Sequence, residues 1–280
     1  MSSRTSVASV GIALSAPRLR AAYDIVGGVR IHSLVSAGPA GAPTLVFVHG
    51  LGVSTRYMEP TMARLTERFS VAALDFPGFG RSGDPSHVLD VGELAGVLRA
   101  WLDVRGIGPA VFVGNSFGCQ IIVELALRSP ERTLGLVLNA PTIDPAHRSR
   151  LEMIWRVARD VPNEPASLAV LVARDYLRAG PRRIFTTLDY AIADRIEEKL
   201  PSLAMPVLVV CGAHDPVVTV RWASEVGRLV GIERPGAAGG AMQCVGDAAH
   251  ALPYDDPWTF AAIIAQFAGE VRSPGAPAQG

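Results

Sequence analysis

Gly114-Asn115-Ser116-Phe117-Gly118 fits G-x-S-x-G, the pattern that holds a serine on a tight strand-to-helix turn with its hydroxyl exposed. The small residues on either side let the backbone bend back, because a side chain at either glycine would strike the neighbouring helix or strand. A serine hydroxyl is a weak nucleophile, so this chemistry also needs a base and a group to orient that base. Of the six histidines, His250 follows a short apolar run near the end of the chain, in Gly246-Asp247-Ala248-Ala249-His250. Asp215, in Cys211-Gly212-Ala213-His214-Asp215-Pro216, follows another such run and is the expected acid. Asp144 is its rival, one strand earlier. Serine, acid, histidine is the chain order expected when these groups sit on loops along one edge of an α/β sheet. An acyl-transfer intermediate also needs two backbone donors for its oxyanion. Phe117 N–H, directly after the serine, is one. The loop His49-Gly50-Leu51-Gly52 is expected to supply the other from Leu51, with Gly52 as an alternative. His49 itself reads as a residue that shapes this loop.

The elements that must position these residues are legible as alternating short apolar runs and helical segments. Eight strand candidates emerge: Ala22–Val26, Val29–Val35, Thr44–His49, Val71–Leu74, Ala110–Gly114, Leu134–Asn139, Val207–Cys211 and Ala241–Val245. The first two flank Gly27-Gly28 and predict an antiparallel hairpin. The remainder, interleaved with helices, predict a mostly parallel sheet. Asp90 with Glu93 marks a capped helix start, followed by an apolar face of Leu94, Val97, Leu98, Trp101 and Leu102. Ile121, Ile122, Leu125, Ala126 and Leu127 continue at helical spacing after the serine turn, up to Ser129-Pro130. Asp256-Pro257 opens the last helix.

More than sixty residues separate the strand ending at Asn139 from the one beginning near Val207, with helical patterns over Leu151–Val161, Ala166–Leu177 and Arg182–Glu197. One crossover helix would suffice, so residues 141–200 are expected to be an inserted helical lid. Met153, Trp155, Leu171, Tyr176, Phe185 and Tyr190 are the candidates for a small core within it. The expected organisation is a flexible extension over 1–20, a core formed by 21–140 and 201–270, the lid, and a disordered tail over 271–280.

Composition narrows the function. With 49% hydrophobic and 19% charged residues in 280, the chain belongs to the globular, ordered class. Its formal net charge is zero. Nucleic acid and an anionic membrane are therefore not expected partners, and a small molecule is. Cys119, Cys211 and Cys244 show no C-x-x-C spacing and read as buried small hydrophobes in a reducing, cytoplasmic setting. No metal or cofactor is expected. Gly78-Phe79-Gly80-Arg81-Ser82-Gly83 fits a dinucleotide-binding string, but it runs into Asp84-Pro85-Ser86 and does not open a helix, which argues against a nucleotide site. Gly236–Gly240 lacks the Lys-Ser/Thr pair of a phosphate loop.

Together, His49-Gly50-Leu51-Gly52, Asp75-Phe76-Pro77-Gly78-Phe79-Gly80-Arg81-Ser82, the serine turn, Gly212-Ala213-His214-Asp215 and His250 resemble the α/β-hydrolase family. The resemblance implies α/β architecture with an eight-stranded, mostly parallel sheet flanked by helices, a helical lid after the sixth strand, and hydrolysis without a cofactor. It implies a serine hydrolase acting on a carboxylic ester, thioester or lactone. Asn115 is similar to the carbon–carbon bond hydrolases of the meta-cleavage type, whereas Ala251 stands where those often carry tryptophan. A small-molecule receptor on the same fold is the alternative of a different class.

Overall fold

The computed structural model describes residues 19–231 and 240–271. Most of the expected flexible extension, tail and Gly236–Gly240 lies outside the described residues; the expected extension ran to residue 20, whereas Arg20 already belongs to the first strand. Eight strands form one sheet: β1 (Arg20–Val26), β2 (Val29–Ser36), β3 (Thr44–Val48), β4 (Ser70–Leu74), β5 (Ala110–Asn115), β6 (Thr133–Asn139), β7 (Val207–Gly212) and β8 (Gly240–Val245). Their order across the sheet is β1-β2-β4-β3-β5-β6-β7-β8. The β1–β2 hairpin turns on Gly27 and Gly28, both at positive φ (55° and 81°), which glycine adopts without cost. β2 also runs antiparallel to β4, and from β4 to β8 the pairing is parallel.

Alternation along the buried strands divides the core into two layers. Val46, Val48 and Phe112 face a cluster built by Leu94 and Trp101, Ile121 and Ile122, and Trp222 and Val226. Those residues come from α2 (Val91–Arg105), α3 (Phe117–Arg128) and α8 (Val220–Leu229). Leu45, Phe47, Val111 and Val113 face the opposite cluster, with Met62, Leu65, Leu252, Phe260 and Ile264. These belong to α1 (Glu59–Leu65), α9 (Leu252–Asp255) and α10 (Pro257–Glu270). Burial on both faces explains why the central strands read as continuous apolar runs. Asp90 and Glu93 form the expected capping box on α2.

Between β6 and β7 stand α4 (Arg150–Asp160), α5 (Ala166–Ala179), α6 (Pro181–Ala193) and α7 (Ile196–Lys199). The third expected helix is thus two, divided at Asp194, whose backbone is extended. The separate small core does not form. Trp155 is 55% exposed and Phe185 45%, while Met153, Ala179 and Ala191 join the core of the sheet. The insertion is anchored through the chain's one lysine: Lys199 Nζ lies 2.6 Å from Glu124 Oε2 on α3 and also pairs with Asp194. A second correction concerns the cysteines. Cys119 and Cys211 are buried, but Cys244 is exposed, because β8 is an edge strand.

Candidate active site

Ser116 sits between β5 and α3 at φ 54° and ψ −121°, a strained conformation for a residue with a side chain. Its hydroxyl makes no capping bond to α3. The surrounding packing explains the flanking residues. A Cβ on Gly118 would collide with the Val48 carbonyl oxygen, and one on Gly114 would stand 2.9 Å from Cys119 N. Ser116 N–H donates to Asn139 O (2.9 Å), and the Asn139 side-chain amide donates to Asn115 Oδ1, so the turn hangs from the end of β6. Cys119 adds its thiol, 3.3 Å from both Gly114 O and Asn139 O. Phe117 N–H opens α3 and, like any first-turn amide, has no acceptor within the helix.

The loop after β3 lies against this turn. A Cβ built on Gly50 would be 3.5 Å from Ser116 Cβ. His49 holds the loop from inside: its Nε2 accepts from Phe76 N–H (3.1 Å), so Nδ1 donates to Gly50 O (2.8 Å). Burial lowers its pKa and keeps the ring neutral, as its structural role requires. Leu51 is half-buried at the turn of this loop, and Gly52 takes φ 79° beneath the Tyr176 ring of α5.

Asp215 and His250 meet. His250 Nδ1 donates to Asp215 Oδ2 at 2.8 Å, while Asp215 Oδ1 accepts from Val217 N–H (2.7 Å) and Val218 N–H (2.9 Å). The two loops are in direct backbone contact, since any side chain at Gly212 would collide with Ala248 O. Burial disfavours charge on the His250 ring. The Asp215 carboxylate, with Asp160 and Glu164 beyond it, outweighs that and lifts the imidazole to about 9. Asp144 lies elsewhere: it caps a short turn by accepting from Ala146 N–H and stands 4.0 Å from His147. A cavity of about 540 Å³ at the root of the insertion is lined by Asp144, His147, Glu197 and Trp222, and by none of Ser116, Asp215 or His250.

The Gly78–Gly83 string is a turn. Asp75 ties it down, accepting from Arg81 N–H (2.9 Å) and Thr55 N–H (2.7 Å) and bonding His32 Nδ1 (2.8 Å). Sequence reasoning missed several residues around the site. Asp175 on α5 accepts from Ser54 Oγ at 2.5 Å, and burial raises its carboxyl. Tyr57 buries its phenol beside Gly50 and Asn115, with its pKa pushed up by that burial. Arg156, Asp160 and Glu164 touch the loops of Asp215 and His250 from the insertion. Their only sequence signal is a spacing of four, common to every helix.

The family model described as "alpha/beta hydrolase fold" matches residues 43–161. A dihydrolipoyllysine-residue acetyltransferase component of the acetoin cleaving system from Cupriavidus necator is 32% identical over 123 residues, 43% of this chain and 32% of that protein. A pimeloyl-[acyl-carrier protein] methyl ester esterase from Vibrio atlanticus is 26% identical, over 67% of this chain and 82% of its own length. The chain spans less than half the length of the curated relatives that head the comparison. Among solved structures, the enol-lactonase from Burkholderia xenovorans superposes with a TM-score of 0.74 at 22% identity, covering 89% of this chain and all of that one. Among the described residues, no helix is long and apolar enough to cross a membrane. The matched model spans the strand–turn–helix of Ser116, and the eight-stranded sheet in this order has the α/β-hydrolase fold.

Proposed function

We propose that this chain hydrolyses small-molecule carboxylic esters, with thioesters and lactones in the same class, through an acyl-enzyme on Ser116. The observation that carries the reading is the strained Ser116 turn on the sheet edge that also holds the 2.8 Å Asp215–His250 pair. The Asp215 bond occupies His250 Nδ1 and leaves Nε2 to accept the Ser116 proton. Ser116 Oγ bonds to the acyl carbon, and the carbonyl electrons move to the oxygen, which Phe117 and Leu51 N–H receive. His250 then gives its proton to the leaving alkoxide as the carbon–oxygen bond breaks. Water repeats the sequence on the acyl-enzyme and releases the carboxylic acid. In this reading the insertion is the lid, placing Tyr176 above the Gly52 loop.

The esterase and the enol-lactonase among the similar proteins support ester and lactone substrates over carbon–carbon cleavage. The test is turnover of short p-nitrophenyl esters and labelling by a fluorophosphonate. Ser116→Ala is expected to abolish labelling and lower kcat by roughly a millionfold. A wild-type protein that neither labels nor turns over any of a panel of esters, thioesters and lactones refutes the proposal.

A further inference from the structure

One short stretch of the insertion grips both loops that carry the acid and the histidine. Arg156, on α4 and only 8% exposed, donates from Nη1 to Pro216 O at 2.8 Å, beside Asp215. Four residues on, the Asp160 carboxyl faces His250 and Glu164. Four further on, Glu164 Oε1 accepts from Ala251 N–H at 2.8 Å. The spacing brings the three side chains to one side of a helical stretch; Arg156 and Glu164 bond the backbone of residues 216 and 251, and Asp160 stands between them. Asp215 can set only the rotation of the His250 ring. The height of the ring above the sheet depends on the backbone of residues 250 and 251, and Glu164 holds that backbone at the Ala251 N–H.

The two carboxyls also face each other. Asp160 Oδ1 and Glu164 Oε2 are both buried and neither has a hydrogen-bond partner. Acceptor-only groups in contact repel, and one proton between them satisfies both oxygens. Burial raises both acids accordingly, Glu164 to about 7. The titratable groups facing the pair are His250 and Asp215 from their loops and Asp255 from α9.

We propose that Asp160 and Glu164 are positioning residues for His250: a facing acid pair through which the insertion sets the place and the charge environment of the imidazole. The proposal rests on the reading of His250 as the base, and its first test needs no substrate. The His250 ring is titrated by NMR in the wild-type protein, Glu164→Gln and Asp160→Asn. His250 titrates above the Glu164 value of about 7, where the pair no longer holds its proton, so each amide keeps the shape of the side chain and removes one negative charge that favours imidazolium. The His250 pKa is expected to fall by about half a unit or more in each.

The second readout is steady-state kinetics on whichever ester the wild type turns over. Glu164→Ala, which removes the acceptor, should lower kcat about tenfold or more with KM within about twofold, as expected for a misplaced base. Glu164→Gln should restore most of that kcat and move the pH limb downward, which residues that only hold the fold do not do. If Glu164→Ala fails to fold by circular dichroism, the two near-isosteric amides carry the test. An unmoved His250 titration in both amide variants overturns the proposal, as does full kcat in a folded Glu164→Ala. A wild type that hydrolyses nothing sinks the hydrolase reading alone, since the titration still decides whether the pair acts on His250.

Discussion

The charge on His250 decides what the proposed base can do at a given pH. The ring sits 15% exposed against a carboxylate held by two backbone N–H groups, so its imidazolium is favoured until about pH 9. Only neutral imidazole accepts a proton, so kcat/KM on an ester should rise with pH and level off near 9. Asp215→Asn removes the largest source of this stabilisation. Its limb should move down toward the ordinary imidazole value near 6.5, and its kcat should fall on the order of ten-thousandfold because the tautomer is no longer set. A pH–rate profile of both proteins checks the shift. A profile that stays in place excludes Asp215 as the partner of the titrating base.

At the scale of elements, the serine turn exists because α3 and the loop after β3 come together without side chains between them. Gly118 is where they touch, its Cα against the carbonyls of Val48 and His49. Those are backbone atoms and cannot swing aside. Gly118→Ala is therefore expected to cost about 1–3 kcal/mol of stability through overpacking. It should also cut ester turnover, since relief of the clash displaces both Phe117 and the Leu51 loop. Urea midpoints and kcat on the purified variant measure the two effects. A neutral result on both would mean that α3 can retreat from β3 without disturbing Ser116.

Across the whole molecule, one buried carboxylate joins three separate segments. Asp75 binds His32 of the hairpin, Thr55 of the loop after β3 and Arg81 of the Gly78–Gly83 turn. Burial alone would raise its pKa, but His32, His49 and these amides outweigh that and hold it below the usual value. Its contribution to stability is thus present above the unfolded carboxylate value of about 3.8 and lost as pH falls through the lower, folded one. Asp75→Ala strands His32 and the Thr55 N–H in the core and takes the acceptor from the Arg81 N–H. It is expected to cost about 3 kcal/mol or more, read as a lower urea midpoint with an unchanged slope. A midpoint that stays in place would show that the hairpin and both loops hold their positions independently of Asp75.

The eight strands, the β1–β2 hairpin, the capped α2 and the Ser116 turn were all legible in the chain. Each rests on local signals: apolar runs buried on both faces, glycines at positive φ, and a cap that bonds three residues away. The sequence also favoured Asp215 over Asp144 as the partner of His250, from its place after a buried strand, but it held no distance. The contact comes from the adjacency of β7 and β8, which puts Gly212 against Ala248 and Asp215 on His250. The antiparallel β2–β4 pairing, the break at Asp194 and the exposure of Trp155, Phe185 and Cys244 were likewise settled by tertiary packing. So was the grip of Arg156 and Glu164 on residues 216 and 251. Those contacts join positions 60 and 87 residues apart, and no local propensity encodes which backbone group a helix will meet after the chain has folded.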